Sequence, residues 1–127
     1  DESGGEVRER PGVRKVLVVE DDRDLREVLL QVLRAEGLDA EDVGDADRAC
    51  ARLVHEPNRA LLFDPGRPGA ALPAVDRLMH RAGTFQKSVL VVSGCKRVAR
   101  RASELGVSFV PAPFELGDLI GALQRLG

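Results

Sequence analysis

The sequence contains no Trp and no Tyr, and only four Phe among its 127 residues. A platform on which unpaired nucleic-acid bases could stack is thereby excluded. Cysteine is almost as scarce. Cys50 and Cys95 lie far apart, with no CxxC pairing and only two histidines, His55 and His80, in the whole chain. That pattern supports neither a zinc site nor a disulfide framework, and the two cysteines read as reduced thiols. Excess charge is lacking too: Lys plus Arg number 19 against 21 Asp plus Glu, a net charge of −2. A general nucleic-acid binder would carry a basic excess, so no direct nucleic-acid partner is expected. Finally, no apolar run approaches the ~18 to 20 residues that span a bilayer, and no signal-like segment opens the chain. No membrane role and a cytoplasmic location are therefore expected.

What is present is an ordinary globular balance, 43% hydrophobic and 31% charged, in a length that suits a single domain. Residues 1–13 open with DESGGEVRERPG, which is polar, Gly-containing and without apolar period, and read as a disordered leader or interdomain linker. The domain proper is expected over 14–127. Because the chain opens on Asp rather than Met, we expect a processed product or a piece of a longer protein whose missing part lay upstream.

From residue 15 short apolar runs alternate with stretches of helical period. Lys15 to Val19 (KVLVV) is continuous enough to be a strand covered on both faces. Leu25, Val28, Leu29, Val32 and Leu33 then fit the spacing of one helix face, and Gly37 suits a left-handed cap. Leu38 to Val43 (LDAEDV) reads as a weak strand whose acids suggest a sheet edge. Asp45 is placed to cap a helix carrying Ala46, Ala49, Cys50, Leu53 and Val54 on one face.

The cycle then repeats three times. Ala60 to Phe63 runs into Asp64, and the loop PGRPG leads to a poorly marked helix around Leu72 to Arg81. Ser88 to Val92 runs into Ser93, succeeded by a helix with Val98, Ala102 and Leu105 that Gly106 stops. Val107 to Val110 is a fifth strand, and Leu116, Leu119, Ile120, Leu123 and Leu126 line a last helix. Five strands each succeeded by a helix predict a flavodoxin-like, doubly wound (βα)5 sandwich with a five-stranded parallel sheet.

In an open parallel sheet, ligands bind beyond the carboxyl ends of the strands. Those ends here are Glu20, Asp21 and Asp22 on strand one, Asp64 on strand three, Ser93 on strand four and Pro111 to Pro113 on strand five. If strands one and three are neighbours, their ends lie ~4.8 Å apart and several carboxylates share one pocket. Such a group resists joint ionisation unless a cation intervenes, and a hard, oxygen-seeking ion such as Mg²⁺ is the natural occupant. A carboxylate beside bound Mg²⁺ can also attack phosphorus to give an acyl phosphate. Taken singly, Asp21 or Asp22 could merely cap a helix and Asp64 could merely end a strand; it is their joint placement that carries the reading.

These segments together resemble the receiver domains of two-component response regulators, over about residues 14 to 127. VLVVEDDRDLREVL is similar to the family's first strand and helix. LLFDPGRPG resembles its phosphoacceptor segment, with Pro68 and Gly69 downstream of Asp64. VLVVSG resembles the strand that ends in a hydroxyl residue, and SFVPAPFELGDL the last strand and helix. The resemblance implies a phosphoprotein of a phosphorelay: Asp64 accepts a phosphoryl group from a histidine kinase or phosphotransfer protein in a Mg²⁺-dependent reaction. It implies Glu20 and Asp21 as the acidic pair around the metal, with Asp64 and the Gly66 backbone carbonyl as further ligands. Ser93 hydrogen-bonds the phosphoryl group and moves with it, and Phe109 is the aromatic that swings inward on activation. Asp22, one position further on, is left as a helix cap.

One departure stands out: Ala112 occupies the place of the family's lysine, which pairs with a phosphoryl oxygen and helps couple it to the switch. Losing that charged hydrogen bond should cost on the order of 10- to 100-fold in forming or stabilising the phosphorylated state. Lys96 and Arg67, both in loops beyond strand ends, are surrogate candidates beside the simpler reading of solvated charge. Lys96, Arg97, Arg100 and Arg101 cluster on the fourth helix. They read as a solvated face, although in the family this helix with strand and helix five forms the effector-docking surface and allows a homodimer. No enzyme is expected beyond self-phosphorylation and self-dephosphorylation; a phosphohydrolase of the haloacid dehalogenase type would need a second aspartate where Gly66 stands. The alternative to the phosphoacceptor is a degenerate receiver that docks partners without phosphorylation, suggested by Ala112 and by Pro65-Gly66 directly after the acceptor. Either way the output is expected elsewhere, in a stand-alone regulator's partner or in a larger protein such as a hybrid histidine kinase.

Overall fold

Val16, Leu17 and Val18 are fully buried, and the apolar run that contains them, Lys15–Val19, forms β1 in the interior of the sheet. A computed structural model describes residues 12–56 and 58–126. The leader expected over 1–13 lies outside the described residues as far as residue 11, as do Pro57 and Gly127. After β1 come α1 (Arg23–Ala35), β2 (Asp39–Asp42), α2 (Ala46–His55), β3 (Arg59–Phe63), α3 (Pro68–Ala82), a 3-10 segment (Gly83–Ser88), β4 (Val89–Ser93), α4 (Lys96–Leu105), β5 (Ser108–Pro111) and α5 (Leu116–Gln124). The strands pair in parallel in the order β2-β1-β3-β4-β5, the doubly wound sandwich expected.

Alternation along the strands builds two cores. Leu17, Val19, Leu61, Phe63, Val89 and Val91 point to the face covered by α2, α3 and α4. Val16, Val18, Ala60, Leu62, Leu90 and Val92 point to the face covered by α1 and α5, against Leu29, Leu33, Leu119 and Leu123. Strands buried on both faces lose the apolar-polar alternation, which is why they read as continuous runs. No described helix is long and apolar enough to cross a membrane.

Several elements depart from the sequence expectation. The face of α1 is rotated: Leu29 and Leu33 are buried with Leu30 packed beside them, whereas Leu25 and Val28 are exposed. Val54 and Leu116 are likewise exposed rather than core. α3 begins at Pro68, four residues before the expected Leu72, because Pro68 takes the first helical position, where a missing N–H costs nothing. Ser88 closes the 3-10 segment instead of opening β4. The caps hold as expected: Asp22 Oδ1 accepts from the Leu25 amide at 3.0 Å and Asp45 Oδ1 from the Arg48 amide at 2.8 Å. Gly106 ends α4 in the left-handed region, at φ 72°.

Candidate functional site

Register brings the acids together. Val19 of β1 is paired with Phe63 of β3, so Glu20 and Asp64 leave the sheet at the same level. The Asp64 amide donates to the Val19 carbonyl at 3.1 Å, which extends the ladder to the acceptor itself. Glu20 is buried, at 7% exposure, while Asp64 is half-buried and Asp21 exposed.

Glu20 carries the main electrostatic anomaly. Its Oε2 accepts from the Asp22 amide at 3.0 Å, but Oε1 is buried with no donor among the described residues. Burial pushes this carboxyl up to about 8; the Asp64 carboxyl beside it adds to the rise and the Asp22 amide opposes it. A buried carboxylate oxygen without a donor, facing a second carboxyl, calls for a proton or a cation. The donors here are hard oxygens, which suit a divalent ion of the Mg²⁺ class. Among the described residues no three carboxylate, imidazole or thiol groups already form a closed metal cluster. An ion here would therefore need ligands from backbone carbonyl or water as well.

The chain after Asp64 is shaped for this role. The Gly66 amide donates to Asp64 Oδ1 at 2.9 Å, and Gly66 has φ +86°, a conformation that side-chain-bearing residues rarely adopt. A Cβ built on Gly66 would stand 3.9 Å from Asp21 Oδ2, so the loop backbone borders the second acid. Arg26 steadies the β1 end of the same wall. Its Nη1 donates to the Glu20 carbonyl at 2.9 Å and its Nε pairs with Asp42 at 3.3 Å.

Across the cleft stand Ser93 and Ala112. Ser93 is buried and its Oγ accepts from the Cys95 amide at 3.0 Å. The Ala112 amide donates to the Ser93 carbonyl at 3.0 Å, and a Cβ on Gly94 would come within 3.1 Å of the Ala112 oxygen. The β4 and β5 loops are thus held together, and Ala112, packed against the core beneath α1 and α5, borders a space of about 750 Å³. Glu20, Asp21, Asp64, Gly66, Arg67, Ser93 and Ala112 all line that cleft. Phe109 and Lys96 do not: Phe109 is half-buried against the core beneath α2, α3 and α4. Asp21 and Asp64 also border a second groove, of about 450 Å³, between α2 and α3.

Sequence reasoning missed Arg26, whose contacts join β1, α1 and β2. It also missed Arg59, a buried guanidinium at the start of β3 whose Nε and Nη1 have no partner among the described residues. Arg26 carries no local signal, since the fold brings Asp42 to it, whereas the partner of Arg59 is its sequence neighbour Glu56.

No family model matches the chain. It is 31% identical over 118 residues, 88% of its length, to the transcriptional regulatory protein PmrA of Pectobacterium parmentieri. The chain spans about half the length of that curated relative, 51%. Among solved structures it is similar to a sensor protein from Polaromonas sp. JS666, at 25% identity and TM-score 0.68, covering 89% of this chain and 94% of that one. It shares the fold of the chemotaxis protein CheY4 of Vibrio cholerae, at 19% identity and TM-score 0.68, covering 91% and 99%. The same fold recurs in the receiver domain of the sensor histidine kinase PA1611 of Pseudomonas aeruginosa, at 20% identity and TM-score 0.68, covering 90% and 97%. That structure has a magnesium ion coordinated in its active-site cleft.

Proposed function

Because the chain belongs to the receiver domains of two-component response regulators, we propose that Asp64 is its phosphoacceptor. The observation that carries this reading is the buried Glu20 carboxyl, one oxygen without a donor, set beside Asp64 at the mouth of the sheet. Glu20, Asp21, Asp64 and the Gly66 carbonyl would hold a Mg²⁺ ion, which supplies charge neutralisation of the phosphoryl oxygens. The relative with magnesium in its cleft supports that assignment. Asp64, held by the Gly66 amide, presents its free oxygen to phosphorus. Ser93, whose Oγ accepts from the Cys95 amide, donates its hydroxyl hydrogen to the phosphoryl group, and the β4 loop moves with it. Phe109, behind that loop, is the side chain we assign to relay the change towards the α4-β5-α5 face. The phosphodonor is a histidine kinase or phosphotransfer protein, and an effector or second copy docks on the α4-β5-α5 face. This makes the domain a signalling module, cytoplasmic in its working place, and not a turnover enzyme.

Incubation with Mg²⁺ and a small acyl phosphate, with intact-mass analysis afterwards, tests the reading. Wild type should gain one phosphoryl group, and Asp64→Asn none. A wild type that stays unmodified would sink it and leave the phosphorylation-independent docking module, whose partner should bind Asp64→Ala and wild type alike. The retained acids weigh against that second reading; Ala112 is what speaks for it.

A further inference from the structure

We infer that the Arg67 guanidinium supplies the positive charge absent at Ala112, meeting the phosphoryl group from the α3 side of the cleft. This role rests on the phosphoacceptor reading above. In the transfer, an Asp64 carboxylate oxygen attacks phosphorus and the Oδ–P bond forms. The bond from phosphorus to the donor's acyl oxygen breaks, and the acyl carboxylate leaves with the bonding pair. The non-bridging oxygens then carry negative charge on both sides of the cleft. On the acid side a divalent ion held by Glu20, Asp21, Asp64 and the Gly66 carbonyl would offset it. On the other side the lining residues are Ser93, Gly94 and Ala112, none of them charged.

Among the described residues that line the cleft, Arg67 is the one cation. It lies three positions after Asp64 and stands at the N-cap of α3, exposed, with no side-chain cap bond. Its guanidinium makes no ion pair or hydrogen bond among the described residues; Arg48 and Arg77, free in the same sense, line the separate groove between α2 and α3 and not this cleft. A free guanidinium offers a planar fork of donors suited to two phosphoryl oxygens at once. Lys96, the other cation within sequence reach, lies outside the cleft lining. The space that Ala112 leaves within the cleft of about 750 Å³ is room for the longer side chain to fold in.

The test is the rate of phosphoryl uptake by the full chain from acetyl phosphate with Mg²⁺, read by intact mass. Arg67→Ala should slow uptake about 10-fold or more, since a charged hydrogen bond is lost. Arg67→Lys should keep most of the rate, and Lys96→Ala should match wild type. Adding Ala112→Lys to Arg67→Ala should restore uptake, because the charge then returns from the opposite side. Circular dichroism of each variant checks that the fold is kept. Uptake by Arg67→Ala at the wild-type rate would overturn the assignment while leaving Asp64 as acceptor. A folded Arg67→Ala variant that is slow but gains nothing from Ala112→Lys would also overturn it. A wild type that takes up no phosphoryl group would instead remove the phosphoacceptor reading and this role with it.

Discussion

The two walls of the cleft are furnished differently. The β1/β3 wall carries Glu20, Asp21 and Asp64, a hydrogen-bonded loop at Gly66 and an arginine brace from α1. The β4/β5 wall carries one hydroxyl, a glycine and a methyl group, locked to each other through backbone. The first wall stores unfavourable charge that a ligand can relieve; the second is electrically quiet. Binding energy for an anion with a divalent cation is thus concentrated on one side, and the opposite side limits how firmly the product is held.

Removing the stored charge should have the largest effect. Glu20 titrates up to about 8 when folded against 4.5 ordinarily, so the unfolded chain ionises first. Its contribution therefore turns unfavourable as pH rises from 4.5 and reaches its full cost above about 8. Without Mg²⁺, Glu20→Gln should be more stable than wild type by about 2 to 3 kcal/mol above that range, with no difference below pH 4.5. Denaturant melts at several pH values measure it, and Mg²⁺ should stabilise wild type but not the variant. A pH-independent difference would break the contrast between the walls.

Charging the quiet wall comes next. Ala112→Lys in the wild-type background, where Arg67 already supplies a cation, should raise phosphoryl uptake by less than it does in the Arg67→Ala background, as read by intact mass. An unchanged rate would mean that charge on this wall is not limiting. Gly66→Ala should destabilise by about 1 kcal/mol, because alanine is strained at φ +86°. A chemical melt shows it, and wild-type stability would remove strain from the account of this loop.

The smallest effect lies away from both walls. Arg52, then Lys15, hold the Glu41 carboxyl down to about 2 against an ordinary 4.5. Its stabilisation is present above pH 4.5 and lost as pH falls towards 2. Because Glu41 is more than a third exposed, solvent screening reduces Glu41→Gln to about 0.5 kcal/mol at neutral pH. Acid titration of the two proteins should converge at the low end.

Strand ends and fold class were readable because β1, β3 and β4 are buried on both faces and so appear as uninterrupted apolar runs. The positions of the acids and Ser93 are set directly by where those runs stop. The α1 face was misread because Leu25 belongs to the cleft lining and Val28 to the surface, so spacing alone pointed at the wrong stripe. α3 was obscured by Pro68, Gly69 and Pro73, residues that mark a turn unless tertiary packing of Ala71, Val75 and Leu78 holds the helix. Arg26 is invisible in the sequence for a related reason, since its partner Asp42 is fixed by the fold and not by its neighbours in sequence. Which of Arg67 and Lys96 borders the cleft likewise required the loop's path.

The outer strands have one more consequence. β2 and β5 are each four residues long; one reads DAED, and the other ends at Pro111, which has no amide hydrogen to offer. Charged side chains along the first, held in ion pairs with Lys15, Arg26 and Arg52, and a missing donor on the second leave few places for an added strand to seat. Sheet extension is disfavoured at both margins. Concentrated solutions of the domain should accordingly resist ordered aggregation, and association is left to its helical faces.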